Sequence, residues 1–157
     1  EYIYCYFDFN NFKPFNDKYG FRIGDRAILL FSEILKTSFN KDTYFVGHVG
    51  GDDFFLGVKL IDEKDIKNNI NRIEKTIEKF ASDVFSFYNK EEQNKGYVIL
   101  NDRKGKKAKF PLLSVSAAVL RLSINRNKFS MEEISSVFAK TKKDAKLSSN
   151  KICIVDV

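Results

Sequence analysis

Aromatic and aliphatic residues cluster at the start of the chain and recur at helical spacing further on. Tyr2 to Phe9, with Ile3 among its aromatic residues, predicts a buried strand that ends at Asp8; Asn10 and Asn11 mark the exit. Asn-Asn ahead of Phe12 predicts a short capped helix from Asn11 to about Lys18, with Pro14 in its first turn and Gly20 ending it. Gly24-Asp25 predicts the start of the next helix, with Asp25 as N-cap. It runs to about Phe39, with Ala27, Leu30, Phe31, Ile34 and Leu35 on one face. Tyr44–Val49 and Phe54–Val58 are strand-like runs separated by Gly50-Gly51, the signature of a hairpin. From Asp62 to about Tyr88 a single stripe (Ile66, Ile70, Ile73, Ile77, Phe80, Val84, Phe87) predicts a long helix packed on the domain's own sheet rather than in a coiled coil.

Beyond it, Glu91–Lys95 is expected to be a polar loop. Gly96–Leu100 and Ala108–Pro111 predict an added β-hairpin around Asn101–Gly105, and Leu112–Leu122 a stronger strand. Ser130-x-x-Glu133 is a capping box for a last helix bearing Ile134, Val137, Phe138, Thr141 and Ala145 on one face. Ile152–Val155 is a final short strand. The order predicts an α+β fold, a mainly antiparallel central sheet with helices covering one face. With no linker or repeat, residues 1–157 are expected to form a single domain.

Composition narrows the chemistry. The chain is 43% hydrophobic and carries 16 Phe and no Trp, too apolar for a disordered segment. Its longest apolar runs fall well short of the ~20 residues of a membrane span. The net charge of +6 gathers in Arg103–Lys107 and Lys140–Lys143, without interleaved stacking aromatics, so no nucleic-acid partner is expected. Cys5 and Cys153 lie inside apolar runs and read as small hydrophobes. With no Cys-x-x-Cys and a single histidine, His48, no zinc site of a common type is expected, and neither a histidine general base nor a Ser-His-Asp triad is expected. Gly20–Gly24 lacks the Lys-Ser/Thr of a P-loop.

The unusual feature is Asp52-Asp53 immediately after the two glycines. Adjacent carboxylates between apolar strands are either a solvated acidic turn or a site where a cation relieves like charges. Asp8, at the end of the first strand, offers a second carboxylate. If that strand neighbours the hairpin, Asp8 and Asp52 converge on one Mg²⁺, which keeps its other positions for water or phosphate oxygens.

Asp8-Phe9-Asn10-Asn11-Phe12-Lys13-Pro14-Phe15-Asn16-Asp17-Lys18-Tyr19-Gly20, then Gly24-Asp25, then Gly50-Gly51-Asp52-Asp53-Phe54 resembles the GGDEF family of diguanylate cyclases over essentially the whole chain. The Gly-Gly-Asp-Asp of CRISPR-associated polymerase palms is the nearest similar motif, but the Phe-Lys-x-x-Asn-Asp and Gly-Asp elements favour GGDEF. The resemblance implies a nucleotide-cyclase or polymerase-palm-like fold with a ferredoxin-like core. It implies a reaction in which two GTP condense to cyclic di-GMP across a homodimer with Mg²⁺ (or Mn²⁺). It assigns Asp8, Asp52 and Asp53 as catalytic residues, and Asp8, Asp52 and the Phe9 carbonyl as metal ligands. Asn11, Phe12 and Lys13 would bind phosphate through backbone N–H groups, Asn16 and Asp25 would read guanine, and Lys146 would hold the triphosphate. It further implies a cytoplasmic domain of a larger multidomain signalling protein, attached to a sensor or an EAL-type phosphodiesterase.

Departures leave a second reading open, a catalytically degenerate domain that binds GTP or serves as a regulatory or dimerisation module. Asp53 stands where the family has Glu and reaches roughly 1.5 Å less far. The family's closing Lys-x-x-Gly-Arg-Asn is here Lys146-Leu147-Ser148-Ser149-Asn150, without the Arg. Lys142 or Lys143 is the candidate substitute, though neither reproduces a guanidinium fork. An Arg-x-x-Asp product-feedback motif would fall at Lys41–Tyr44 and is not there, so no inhibition of that kind is expected. His48 stands where Arg is common, and a packing role is expected for it.

Overall fold

The computed structural model describes residues 1–123 and 129–157. Strand β1 (Tyr2–Asn10) is the centre of a five-stranded sheet. It is followed by α1 (Phe12–Tyr19), α2 (Phe21–Ser38), β2 (Tyr44–Gly50), β3 (Asp53–Lys59) and α3 (Lys64–Val84). A 3₁₀ turn (Phe85–Phe87) leads to α4 (Lys90–Lys95), β4 (Tyr97–Asn101), β5 (Lys107–Pro111) and β6 (Ser114–Leu122). Helix α5 (Met131–Leu147) and β7 (Ile152–Asp156) complete the chain. The sheet order is β2-β3-β1-β6-β7; all its pairs are antiparallel except β6–β7, and β4–β5 form the separate hairpin.

Alternation along β1 sorts its residues onto two faces. Ile3, Cys5, Phe7 and Phe9 are buried under α2 and α3, while Tyr2, Tyr4, Tyr6, Asp8 and Asn10 face the other way. Phe31 of α2 is the hub of the buried side. Its ring meets Phe7 at 5.3 Å, Phe54 at 5.0 Å and Phe80 at 5.2 Å, all edge-to-face. Phe80 brings α3 to within 4.8 Å of Phe9, so the long apolar stripe does pack on the domain's own sheet.

Helices cover both faces, not one. Helix α5 lies on the side opposite α2 and α3, against β6, β7 and β1, with Phe138 6.0 Å from Tyr6. Strand β6 is therefore buried from Val115 through Leu120 with no alternation, as expected between two helical layers. The α5 pattern was readable, but its face could not be assigned before the strand order was known.

Local chemistry corrects three other expectations. Asp25 is not an N-cap: α2 begins at Phe21 after Gly20 (φ 86°), and Asp25 lies inside its first turns. Gly24 is needed for close packing instead, since a Cβ there would meet Asn16 Oδ1 at 1.7 Å. Asn11 does not cap α1 with its side chain; it takes the left-handed conformation (φ 61°), which Asn tolerates better than most residues, and so turns the strand sharply into the helix. The expected polar loop at 91–95 is α4, closed by a capping box between Asn89 and Glu92. Among the described residues no helix is long and apolar enough to cross a membrane.

Candidate functional site

Register brings the acidic residues together. The β1–β3 ladder pairs Asp8 directly with Asp53, while β1 runs on through Phe9 and Asn10 beside β6 alone. Asp8 and Asp53 thus share the α5 face of the sheet. Like charges opposed across strands are destabilising without a counter-charge. Asp52 stands at the turn just before β3. Loss of water around its carboxyl pushes its pKa up to about 6; the charges of Asp8 and Asp53 and a shared hydrogen bond with Asp8 add to the rise, and its own backbone N–H opposes it. Asp8, Asp52 and Asp53 thus lie near enough at one corner of the sheet for their charges to act on one another.

The turn itself is braced. Gly51 (φ 54°) takes a conformation that side chains resist, and His48 stacks on Phe54 at 4.6 Å while its Nε2 lies 2.8 Å from the Gly51 carbonyl oxygen. His48 has the packing role expected of it.

Counter-charge comes from α5. Lys146 Nζ lies 2.8 Å from Asp8 Oδ2. One turn earlier, Lys142 Nζ stands 3.7 Å from Asp8 Oδ2, 3.6 Å from Asp53 Oδ1 and 4.2 Å from the Tyr6 ring centroid. Tyr6 is held up to about 12 by burial first and then by Asp53 beside it. Tyr6, Asp8, Phe138, Lys142, Lys143 and Lys146 line a cleft of about 470 Å³ between β1 and α5. The sequence reading missed Tyr6, although its place two residues before Asp8 puts it on the same strand face. Asn10 was also missed; its amide donates to Ser114 Oγ (2.9 Å) and Ser116 Oγ (2.8 Å), fixing the floor beside Asp8.

Helix α1 places the remaining residues. The side chain of Asn11 makes no capping bond, so the first N–H groups of α1, at Phe12 and Lys13, are available to an anion. Phe12 packs edge-on against Phe9 at 5.2 Å, and Lys13 is ion-paired to Asp17 at 2.8 Å. Asn16 lies against Gly24, next to Asp25, and its buried Oδ1 has no hydrogen-bond partner among the described residues. Asp25 is exposed.

The oxygen donors suit a hard divalent cation that keeps positions for water or phosphate oxygens. They do not suit a closed protein cage: among the described residues no three His, Cys, Asp or Glu side chains form a metal-binding group.

The profile of the family "Diguanylate cyclase, GGDEF domain" matches residues 2–109, and the chain belongs to this family. The fold is similar to the active GGEEF domain of a diguanylate cyclase from Vibrio cholerae (17% identity, TM-score 0.61, covering 98% of this chain and 83% of that one). It is also similar to the coiled coil and GGDEF domain of DgcB from Caulobacter crescentus in complex with c-di-GMP (15% identity, TM-score 0.63, 98% and 69%). A third likeness is to an EAL/GGDEF domain protein from M. capsulatus (18% identity, TM-score 0.59, 98% and 83%). At these identities the likeness is one of fold. No curated protein sequence matches the chain significantly.

Proposed function

We propose that this domain condenses two GTP into cyclic di-GMP, each copy holding one GTP. The observation that carries this reading is the convergence of Asp8, Asp52 and Asp53 beside Lys142 and Lys146 at one end of the sheet. Asp8, Asp52 and the Phe9 carbonyl would hold Mg²⁺ or Mn²⁺. When bound, the ion supplies charge stabilisation to the reacting α-phosphate. The first N–H groups of α1, around Asn11, Phe12 and Lys13, would hold phosphate oxygens, and Lys146 would hold the triphosphate from the other side. Asn16 Oδ1, buried against Gly24 without a partner among the described residues, would supply an acceptor for guanine N–H groups, and Asp25, the residue after Gly24, would supply a carboxylate. Asp53 would act on the attacking 3′-hydroxyl, which a second copy would bring, so turnover would require two domains face to face. Lys41–Tyr44 lacks the Arg-x-x-Asp motif, so product feedback of that kind would be missing. Residues 1–157 would form one domain of a larger multidomain signalling protein in the cytoplasm, as in the EAL/GGDEF arrangement of the M. capsulatus protein.

One observation favours a second reading, a GTP-binding regulatory module without turnover: the short Asp53 faces the Lys142 ammonium at 3.6 Å. Incubation of the chain with GTP and Mg²⁺, alone and as a tethered dimer, separates the two. Cyclic di-GMP in either sample supports the cyclase. GTP binding without product, even when tethered, overturns it in favour of the module.

A further inference from the structure

Lys142 is placed differently from every other lysine on α5. It projects from a half-buried position onto the sheet, over the Tyr6 ring, and stands nearly equidistant from two carboxylates on two strands. Both separations exceed a hydrogen bond, so the ammonium balances charge without being locked to either oxygen. Lys146, on the same helix face four residues on, pairs with Asp8 alone, and Lys143 lines the cleft without an ion pair among the described residues. Any divalent ion on Asp8 must share that carboxylate with Lys146 at 2.8 Å and with the Lys142 charge at 3.7 Å, and like charges repel; Lys142 alone also spans to Asp53. An incoming triphosphate reverses the balance, because it offers the ammonium new anionic oxygens within the same cleft.

We propose that Lys142 is an exchangeable counter-ion that couples metal binding to nucleotide binding. It competes with a lone divalent cation for Asp8, the carboxylate the two share, and moves to the phosphates when a nucleoside triphosphate brings the metal in. Metal and nucleotide therefore bind cooperatively, each removing the electrostatic penalty the other would meet alone. A rigid structural pairing would not produce this coupling. The inference rests on the reading of Asp8 and Asp52 as the metal site.

The test measures Mn²⁺ binding by the whole chain, with and without a non-hydrolysable GTP analogue, for wild type, Lys142→Met, Lys142→Arg and Asp8→Ala. Removing one positive charge a few ångströms from the carboxylates is expected to tighten Mn²⁺ alone about tenfold in Lys142→Met. The same variant should bind the analogue more weakly, so that the nucleotide no longer strengthens Mn²⁺ binding. Lys142→Arg, which keeps the charge, should restore the coupling and shows that loss in the Met variant is not misfolding. Asp8-dependent Mn²⁺ binding that is unchanged in Lys142→Met overturns the role of Lys142 alone. Mn²⁺ binding that Asp8→Ala leaves intact, or no binding by wild type, overturns the metal-site reading and the proposal with it.

Discussion

Strand β1 carries two different kinds of residue on its two sides. Toward α2 and α3 it presents Ile3, Cys5, Phe7 and Phe9, all essentially inaccessible to water and locked into a cluster of aromatic rings. Toward α5 it presents Tyr6, Asp8 and Asn10, each only partly buried and each engaged by a polar or charged neighbour. The first side is held by close packing, where any lost volume is felt. The second is held by charges that can exchange partners. One strand thus separates what keeps the fold from what would do the chemistry, and substitutions on the two sides should have separable effects.

The largest expected effect is on the packed side. Phe31→Ala removes the ring that joins Phe7, Phe54 and Phe80, and should lower unfolding free energy by about 3–5 kcal/mol in a urea titration. A change below about 1 kcal/mol would break the comparison. On the charged side, Asp8→Ala should abolish metal-dependent GTP binding, read by calorimetry, yet leave the melting temperature close to wild type because the lost pairing with Lys146 and Lys142 is offset by relief of the opposition with Asp53. A variant that unfolds would show that the two sides are not separable.

Gly24→Ala falls between them. Its Cβ would occupy the space of the Asn16 amide, 1.7 Å from Oδ1, and the Asn16 side chain must move. Stability should drop by about 1–3 kcal/mol, and GTP affinity should fall while Mn²⁺ binding persists.

The smallest effect is one of pH. Asp52 is raised from 3.8 to about 6, so between those values the folded state holds a proton that the unfolded chain has released. This group's contribution to stability therefore decreases as pH rises through 6. Metal binding needs the carboxylate and runs the other way, weakening about tenfold per pH unit below 6. Mn²⁺ affinity that is flat from pH 7 to pH 5 would show that Asp52 takes no part.

Periodicity exposed most of the packed side in advance. The stripe from Ile66 to Val84 and the face from Ala27 to Leu35 need only their own spacing to be recognised, and both are where they were expected; Phe87, expected on the same helix, falls in the 3₁₀ turn that follows it. The charged side depends on register and on which face of the sheet α5 covers. Asp8 and Asp52 were found because carboxylates beside apolar strands are conspicuous in a sequence. Tyr6 was not, because an aromatic residue in an aromatic strand carries no mark of its partner. Lys142 and Lys143 could not be told apart until the helix was docked. Asp25 was misread as a cap because Gly24 looked like a helix boundary, when its role is to let Asn16 approach.

The parallel pairing of β7 with β6, from Ala117 beside Ile152 to Arg121 beside Asp156, has a consequence in time. Parallel neighbours need a crossover, and α5 is that crossover. The carboxylates belong to β1 and the β2–β3 hairpin, which can pair while the rest of the chain is still being made. Lys142 and Lys146 reach them only when α5 and β7, which are synthesised later than β1–β3, have docked. The acidic corner is thus expected to exist for a time before its cations arrive. Pulsed hydrogen exchange during refolding should show β1 and β3 protected ahead of α5 and β7.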